Sequence, residues 1–219
     1  MGGVIKKINQ LLSVPKTLFV NFYYLPINVA IHLPIRISHK VKIASLGSRN
    51  SVKLLNKNAR ISIGFEGSFS LGGVGYWSIG KDASVLFCGK AVFGRGIQFI
   101  CNGKMVIGDD FCCNAECILN ACSKIVFGDR VLLGWRSCVL DGDGHNVLHA
   151  EKNEGYEKHN VEIGEHVWLA SDAKVLKGSR IPSGSVVAAN ACISKEFCEE
   201  NLLIGGFNKI LRKNIIWER

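Results

Sequence analysis

The sequence predicts an all-β solenoid, a parallel β-helix, and a six-residue beat predicts it. Aliphatic residues recur without a slip at Ile163, Leu169, Val175, Ile181, Val187 and Ile193. Four places after the first five stand Val167, Ala173, Ser179, Ser185 and Ala191, all small or β-branched. An amphipathic helix repeats its apolar face every 3.6 residues and a half-buried strand every two. A period of six fits a short flat strand plus a corner, wound so that every sixth residue points inward and each coil stacks on the next. The small residue sits where the chain turns and a bulky one has no room.

The same beat runs upstream in a broken form. Ile107-Gly108, Cys113-Asn114 and Leu119-Asn120 keep the frame; two residues are then inserted, and Phe127-Gly128, Leu133-Gly134 and Val139 resume it. Ile63-Gly64, Ile79-Gly80 and Phe93-Gly94 mark earlier repeats of unequal length. A solenoid tolerates this because each coil contacts only its neighbours. One extended domain accounts for the 219 residues, and no linker marks a second. Twenty-four glycines against four prolines suit many tight corners. A charged fraction of 21% argues against disorder. The chain divides into a hydrophobic and basic N-terminal segment over 1–50, which does not follow the beat, a β-helix over 51–205, and a short C-terminal tail over 206–219.

Nine cysteines, an odd number with no signal peptide ahead of them, argue against a disulfide framework and for structural thiols in a reducing, cytoplasmic setting. Cys113 and Cys117 fall on inward positions, where a thiol behaves as a small hydrophobe. The net charge of +9 is scattered, with a concentration at Lys6, Lys7, Lys16, Arg36, Lys40 and Lys42, and no nucleic-acid module accompanies it. A phosphate-bearing small molecule or an anionic membrane explains the charge as well, and nucleic acid is not an expected partner. Thr17 to Ile35 carries no Asp, Glu, Lys or Arg, a length that raises the question of a membrane span. Pro26, Pro34, two asparagines and His32 speak against a span. Two other readings stay open for residues 1–50: packing on the solenoid, and peripheral membrane contact through Phe19, Phe22, Tyr23 and Tyr24.

The chemistry is expected in the loop near 141–160. Asp141-Gly142-Asp143-Gly144-His145 breaks the beat and opens a polar stretch to Asn160. Loops that interrupt a rigid scaffold are where function concentrates. An imidazole can take a proton from a hydroxyl, and a nearby carboxylate can hold its ring and stabilise the imidazolium. His145 is the candidate base, with Asp141 or Asp143 as its orienting partner.

Here the chain resembles the hexapeptide-repeat acyltransferases with a left-handed β-helix. Within them it is similar to the galactoside and maltose O-acetyltransferases, and especially to the O-acetyltransferases of bacterial capsule and lipopolysaccharide synthesis. The resemblance covers about residues 60–215. It is carried by Ile107-Gly108-Asp109-Asp110-Phe111 through Asn114, by Val131-Leu132-Leu133-Gly134, by the acidic turn to His145, by Val167-Trp168-Leu169-Ala170-Ser171, and by Val186-Val187-Ala188-Ala189-Asn190 through Ser194-Lys195. It implies acetyl transfer from acetyl-CoA to a hydroxyl of a sugar or glycan in surface polysaccharide biosynthesis, with no metal.

It further implies roles for particular residues. His145 matches a histidine that deprotonates the acceptor, and Asn114 an asparagine that binds the acceptor sugar. Trp168 and Ser171 line the path of the pantetheine arm and thioester, and Ala170, Ala188 and Ala189 stay small where that arm passes the backbone. Ser194 and Lys195 lie toward the nucleotide end of coenzyme A, and Lys209 and Arg212 toward its phosphates. The resemblance places these sites between subunits of a homotrimer. Where such chains end their coil with Gly-x-Pro-Ala, this one has Gly205-Gly206-Phe207-Asn208, and its acidic turn is one residue longer than in the galactoside branch. Two alternatives come from other classes: a γ-type carbonic anhydrase-like metalloenzyme drawing zinc ligands from His145, His149, His159 and His166, and a non-catalytic β-helix scaffold.

Overall fold

The computed structural model describes residues 2–66, 73–145 and 160–219. From Ile35 onward the chain winds into a three-faced parallel β-helix. The first face stacks the strands Ile35–Ile37, Ile61–Glu66, Ala91–Gly94, Phe111–Cys113, Leu132–Leu133, Trp168–Leu169, Val186–Val187 and Leu203–Gly205, each hydrogen-bonded to the next. The second face runs from Val41–Leu46 to Cys192–Ile193, and the third from Val52–Leu54 to Arg180–Ile181. Register follows the beat: Leu133 lies over Cys113, Leu169 over Leu133, and Val187 over Leu169. This is the all-β hexapeptide solenoid that the sequence predicts.

The beat residues from Ile163 to Ile193 are all buried, and so are Val167, Ala173, Ser179, Ser185 and Ala191. Each coil therefore adds a ring to one apolar column. The lower column is aromatic, with Trp77 stacked on Phe99 at 4.3 Å and Phe111 against Phe93 at 5.3 Å and Phe127 at 5.0 Å.

Corners have a fixed backbone form. Three places after each beat residue the chain takes a left-handed φ: +50° at His166, +62° at Asp172, +72° at Gly178, +69° at Gly184 and +58° at Asn190. Asp110, Glu116, Arg130 and Arg136 continue the series upstream. Most of these are not glycine, contrary to what the glycine count suggests. Several glycines instead allow close approach between coils: a Cβ on Gly108 would lie 2.2 Å from the carbonyl oxygen of Gly128, and one on Gly134 2.6 Å from the Ser171 nitrogen.

The expected start of the solenoid at residue 51 needs correction. Ile35–Ile37 pairs in parallel with Ile61–Ile63, and Val41–Leu46 with Gly75–Ile79, so the first coil lies inside the 1–50 segment. Its beat was hidden because the next turn begins only at Ile61. Residues before Ile35 form three helices, α1 (Gly2–Leu12), α2 (Val14–Tyr24) and α3 (Ile27–Ala30).

Helix α2 lies along the open edge of the first coil. The Asn21 amide donates to the Ile35 carbonyl at 2.6 Å, and its oxygen accepts the Ile35 N–H at 3.1 Å. The Thr17 hydroxyl accepts the Ile37 N–H, the Ser13 hydroxyl accepts the His39 N–H, and Lys16 Nζ donates to the carbonyls of His39 and Val41. A helix thus answers the backbone groups that another coil would pair, which closes an edge open to aggregation. Packing on the solenoid is therefore one role of this segment. Among the described residues no helix is long and apolar enough to cross a membrane.

The tail is ordered at both ends. Lys209–Arg212 pairs antiparallel with Leu203–Gly205. Beyond it the chain runs back down the corner between the third and first faces: Ile215 N–H donates to the Asn201 carbonyl, Trp217 stacks on His166, and Arg219 reaches Asp110.

Burial raises the thiol pKa of Cys101 to about 12 and that of Cys113 well above its ordinary value. Cys117 is fully buried as well. Cys113 and Cys117 fill the core as the sequence suggests, and Cys101 joins them.

Candidate active site

The interrupted loop grows from a corner that is already enlarged in every coil below it. In register, the span from the second face to the third runs from Trp77 to Phe87, ten residues, and from Phe99 to Ile107 and from Leu119 to Phe127, eight residues each, against the usual six. In the fifth coil the same corner expands into the segment after Leu140, which rejoins the third face at Val161.

Asp141, at the root of this loop, is buried. Its two carboxylate oxygens accept the N–H groups of Cys122 at 2.5 Å and Ser123 at 2.9 Å, the inserted residues of the coil below. Both oxygens thus hold the corner, and among the described residues Asp141 makes no bond to His145. Asp143 is exposed and pairs with Lys177 of the coil above, Oδ2 to Nζ 2.5 Å. Lys177 was not foreseen; it follows Leu176, one residue past the beat at Val175. His145 is exposed at the rim and makes no hydrogen bond to another described residue. His149 and His159, and the rest of the loop to residue 159, lie outside the described residues.

A second group of the expected residues lines the corner after the first face. Asn114, Gly134, Ala170 and Ala188 occupy one column, linked coil to coil by Asn114 N–H to Leu133 O, Gly134 N–H to Leu169 O and Ala170 N–H to Val187 O. Ser171 and Ala189 follow in the next column, beside the ion pair that Arg136 makes with Asp172 at 2.7 Å. Apart from Asn114 the side chains of these two columns are small, and Trp168 on the adjoining face is exposed. Hydrogen bonding by Arg136 holds the Asp172 carboxyl below its usual range.

Ser194 and Lys195 sit at the same corner as the interrupted loop, in the seventh coil. Asn208 bonds both the N–H and the hydroxyl of Ser194, so the Gly205–Asn208 turn is tied across the end of the second face. Lys195 lies over the Phe197 ring at 4.9 Å. Lys209 and Arg212 are exposed on the last, antiparallel strand.

One chain therefore does not bring His145 and Asn114 together. They stand on opposite edges of the second face, whose strands in these two coils, Ile118–Ala121 and Cys138–Leu140, span about 10–13 Å. His166 lies on the third corner, stacked on Trp217 and away from His145. Among the described residues, no three His, Cys, Asp or Glu side chains converge as metal ligands would.

No family model matches the chain. It does align with curated proteins. One of Mycobacterium tuberculosis, provisionally named an acetyltransferase, is 25% identical over 119 residues, 53% of this chain and 40% of that one. One of Escherichia coli K12, provisionally named for O-acetyl transfer in lipopolysaccharide biosynthesis, is 24% identical over 156 residues, 64% of this chain and 80% of that one. The chain is related to acetyltransferases. A polysialic acid O-acetyltransferase of Escherichia coli O1:K1 is 25% identical over 133 residues, 60% of this chain and 41% of that one. The chain thus spans less than half of the first and third of these acetyltransferases.

Proposed function

We propose that this protein is an O-acetyltransferase that moves an acetyl group from acetyl-CoA to a hydroxyl of a sugar or glycan in surface polysaccharide biosynthesis. The observation that carries it is the exposed His145 on an enlarged corner of a rigid solenoid, at the height of the stacked small residues Gly134, Ala170 and Ala188 on the neighbouring corner, which form a trough in this reading. The names of the related proteins support the same chemistry.

In this reading acetyl-CoA lies along the trough, its arm against Ala170, Ser171, Ala188 and Ala189 and beside Trp168. Its nucleotide end extends toward Ser194, Lys195, Lys209 and Arg212. The acceptor hydroxyl enters beside His145, with Asn114 binding the sugar. His145 takes the hydroxyl proton as the oxygen attacks the thioester carbonyl. A tetrahedral oxyanion forms, held by a nearby donor such as a backbone N–H of the trough. It collapses with loss of the coenzyme A thiolate, which takes the proton back from the imidazolium. No enzyme-bound acyl group is needed.

Because the two halves of the site lie on different corners of one chain, a copy packed beside it supplies the missing half. A homotrimer, working on the cytoplasmic side of the membrane, is the assembly in this reading. The test is release of coenzyme A thiol by the purified protein with acetyl-CoA and a glycan extract. Mass spectrometry of the surface glycan with and without the protein should show a difference of one acetyl group. No thiol release and no mass difference would end the proposal.

A further inference from the structure

We infer that the N-terminal end of the solenoid is a docking surface for an anionic lipid bilayer, with a basic cleft that seats a lipid phosphate. Three independent observations point to it.

Helix α2 is apolar on the side that faces outward. Its buried side carries Val20 and Tyr24 together with the polar Thr17 and Asn21, which are spent on the edge of the first coil. Its outward side carries Leu18, Phe19 and Phe22, exposed at 40%, 55% and 45%. Leu11 of α1 and Ile27 of α3 add 72% and 74% exposure to the same end of the molecule. A helix on a water-facing surface carries polar residues on its outward side. These five exposed large apolar side chains on three neighbouring helices suit a contact surface.

The charge of the chain is concentrated at that end. Residues 1–65 hold ten of the 27 Lys and Arg and none of the 18 Asp and Glu. The rest of the chain is close to neutral, so the whole net charge of +9 belongs to the cap and the first coils. This selects the occupant. A second copy presenting the same end would set ten cations against ten, whereas an anionic leaflet complements both the charge and the apolar helices.

Between α1, α2 and the first coils lies a cleft of about 650 Å³. Lys7, His32, Arg36 and Arg60 line it together with Leu11 and Phe65. The Arg36 guanidinium lies 5.3 Å from the Phe65 ring centroid. Three cations, Lys7, Arg36 and Arg60, without a carboxylate among the lining residues and beside apolar walls, suit a phosphodiester whose acyl chains continue into the bilayer.

The experiment is sedimentation of the full chain with vesicles of phosphatidylcholine, with and without phosphatidylglycerol. Binding should require the anionic lipid and weaken as salt rises, because surface attraction is screened over about 8–10 Å at physiological ionic strength. Arg36→Glu with Arg60→Glu should weaken binding about tenfold or more. Phe19→Ser with Phe22→Ser, both solvent-exposed positions, should do the same while the circular dichroism spectrum and melting temperature stay those of the parent. Failure of the parent to sediment with anionic vesicles at low salt would overturn the proposal, as would equal capture by neutral vesicles. A melting shift produced by inorganic phosphate without vesicle binding would assign the cleft to a soluble phosphate and overturn it too. None of these readouts depends on acetyl transfer.

Discussion

Trp217 lies flat on His166, ring centroids 4.1 Å apart and planes within 6°, and each residue bonds the other's backbone carbonyl. The Trp217 indole N–H donates to the His166 oxygen at 3.0 Å, and His166 Nε2 meets the Trp217 oxygen at 3.1 Å. A carbonyl can only accept, so Nε2 carries the proton. This reciprocal pair fastens the tail to a corner where His166 itself holds a left-handed φ.

Trp217→Ala should release the tail from the corner. An aromatic pair contributes about 0.5–1.5 kcal/mol beyond its buried area, and in a chain of this size 1 kcal/mol moves the melting temperature about 2–4 °C. The melting temperature should drop by a few degrees, and limited proteolysis should begin to trim the last residues. Unchanged protease resistance would show that Arg219 and Ile215 hold the tail without the ring pair.

The histidine and the two aspartates of the loop should separate in their effects. His145→Ala should keep the fold and lower turnover by roughly 10²–10⁴-fold. Asp141→Ala should chiefly destabilise, since it orphans two backbone N–H groups at about 1–3 kcal/mol each. Asp143→Ala breaks a half-exposed ion pair and should cost less than about 1 kcal/mol. Melting curves paired with thiol-release kinetics make the comparison. Near-parental turnover in His145→Ala at saturating acceptor would remove it as the base.

A site shared between copies should show complementation. His145→Ala spoils one half and Ala188→Trp fills the trough of the other. Each variant alone should be inactive. Assembled together from unfolded chains, they should recover activity, because some interfaces then pair an intact loop with an intact trough. Light scattering should give about three times the chain mass of 24.0 kDa. An active monomer, or mixtures no better than either variant, would refute the shared site.

The upper coils were legible because Ile163 to Ile193 never leaves its frame, and two-residue strands leave no room for another periodicity. The first coil was not: Ile35 and Ile37 are separated from Ile61 and Ile63 by a long turn, and a repeat seen once is not a repeat. The helical cap was hidden for a different reason. Ser13, Thr17 and Asn21 read as a weak polar stripe, and only the bonds to Ile35, Ile37 and His39 show that the stripe faces inward. In the loop, residue type pointed to His145, but it could not distinguish an aspartate that orients a ring from one that caps two backbone groups. Asp141 caps two backbone groups: it follows the Asn120–Leu140 register pair, and its side chain reaches forward to the inserted Cys122 and Ser123.

The cap should loosen in alkali through Tyr24. Its hydroxyl donates to the Leu46 carbonyl at 2.8 Å and accepts from the Trp77 indole at 3.3 Å. Burial holds its pKa far above that of an ordinary phenol, with the Trp77 bond acting in the opposite direction. A group whose folded pKa is raised contributes stability that is fully present below its unfolded value, near pH 10, and is lost as pH rises toward the folded value. Lys16 works the other way, because burial lowers its ammonium pKa and deprotonation relieves that cost. The two are separated by comparison with Tyr24→Phe. That variant should be less stable at neutral pH, since the Leu46 carbonyl loses its donor, by about 1–3 kcal/mol. Its stability should then fall less steeply than the parent's above about pH 10, so the two denaturation midpoints converge. Hydrogen exchange at Ile35 and Ile37 should report the same convergence, because α2 guards those amides. Parallel pH profiles for the two proteins would mean that the phenol does not couple the cap to the solenoid.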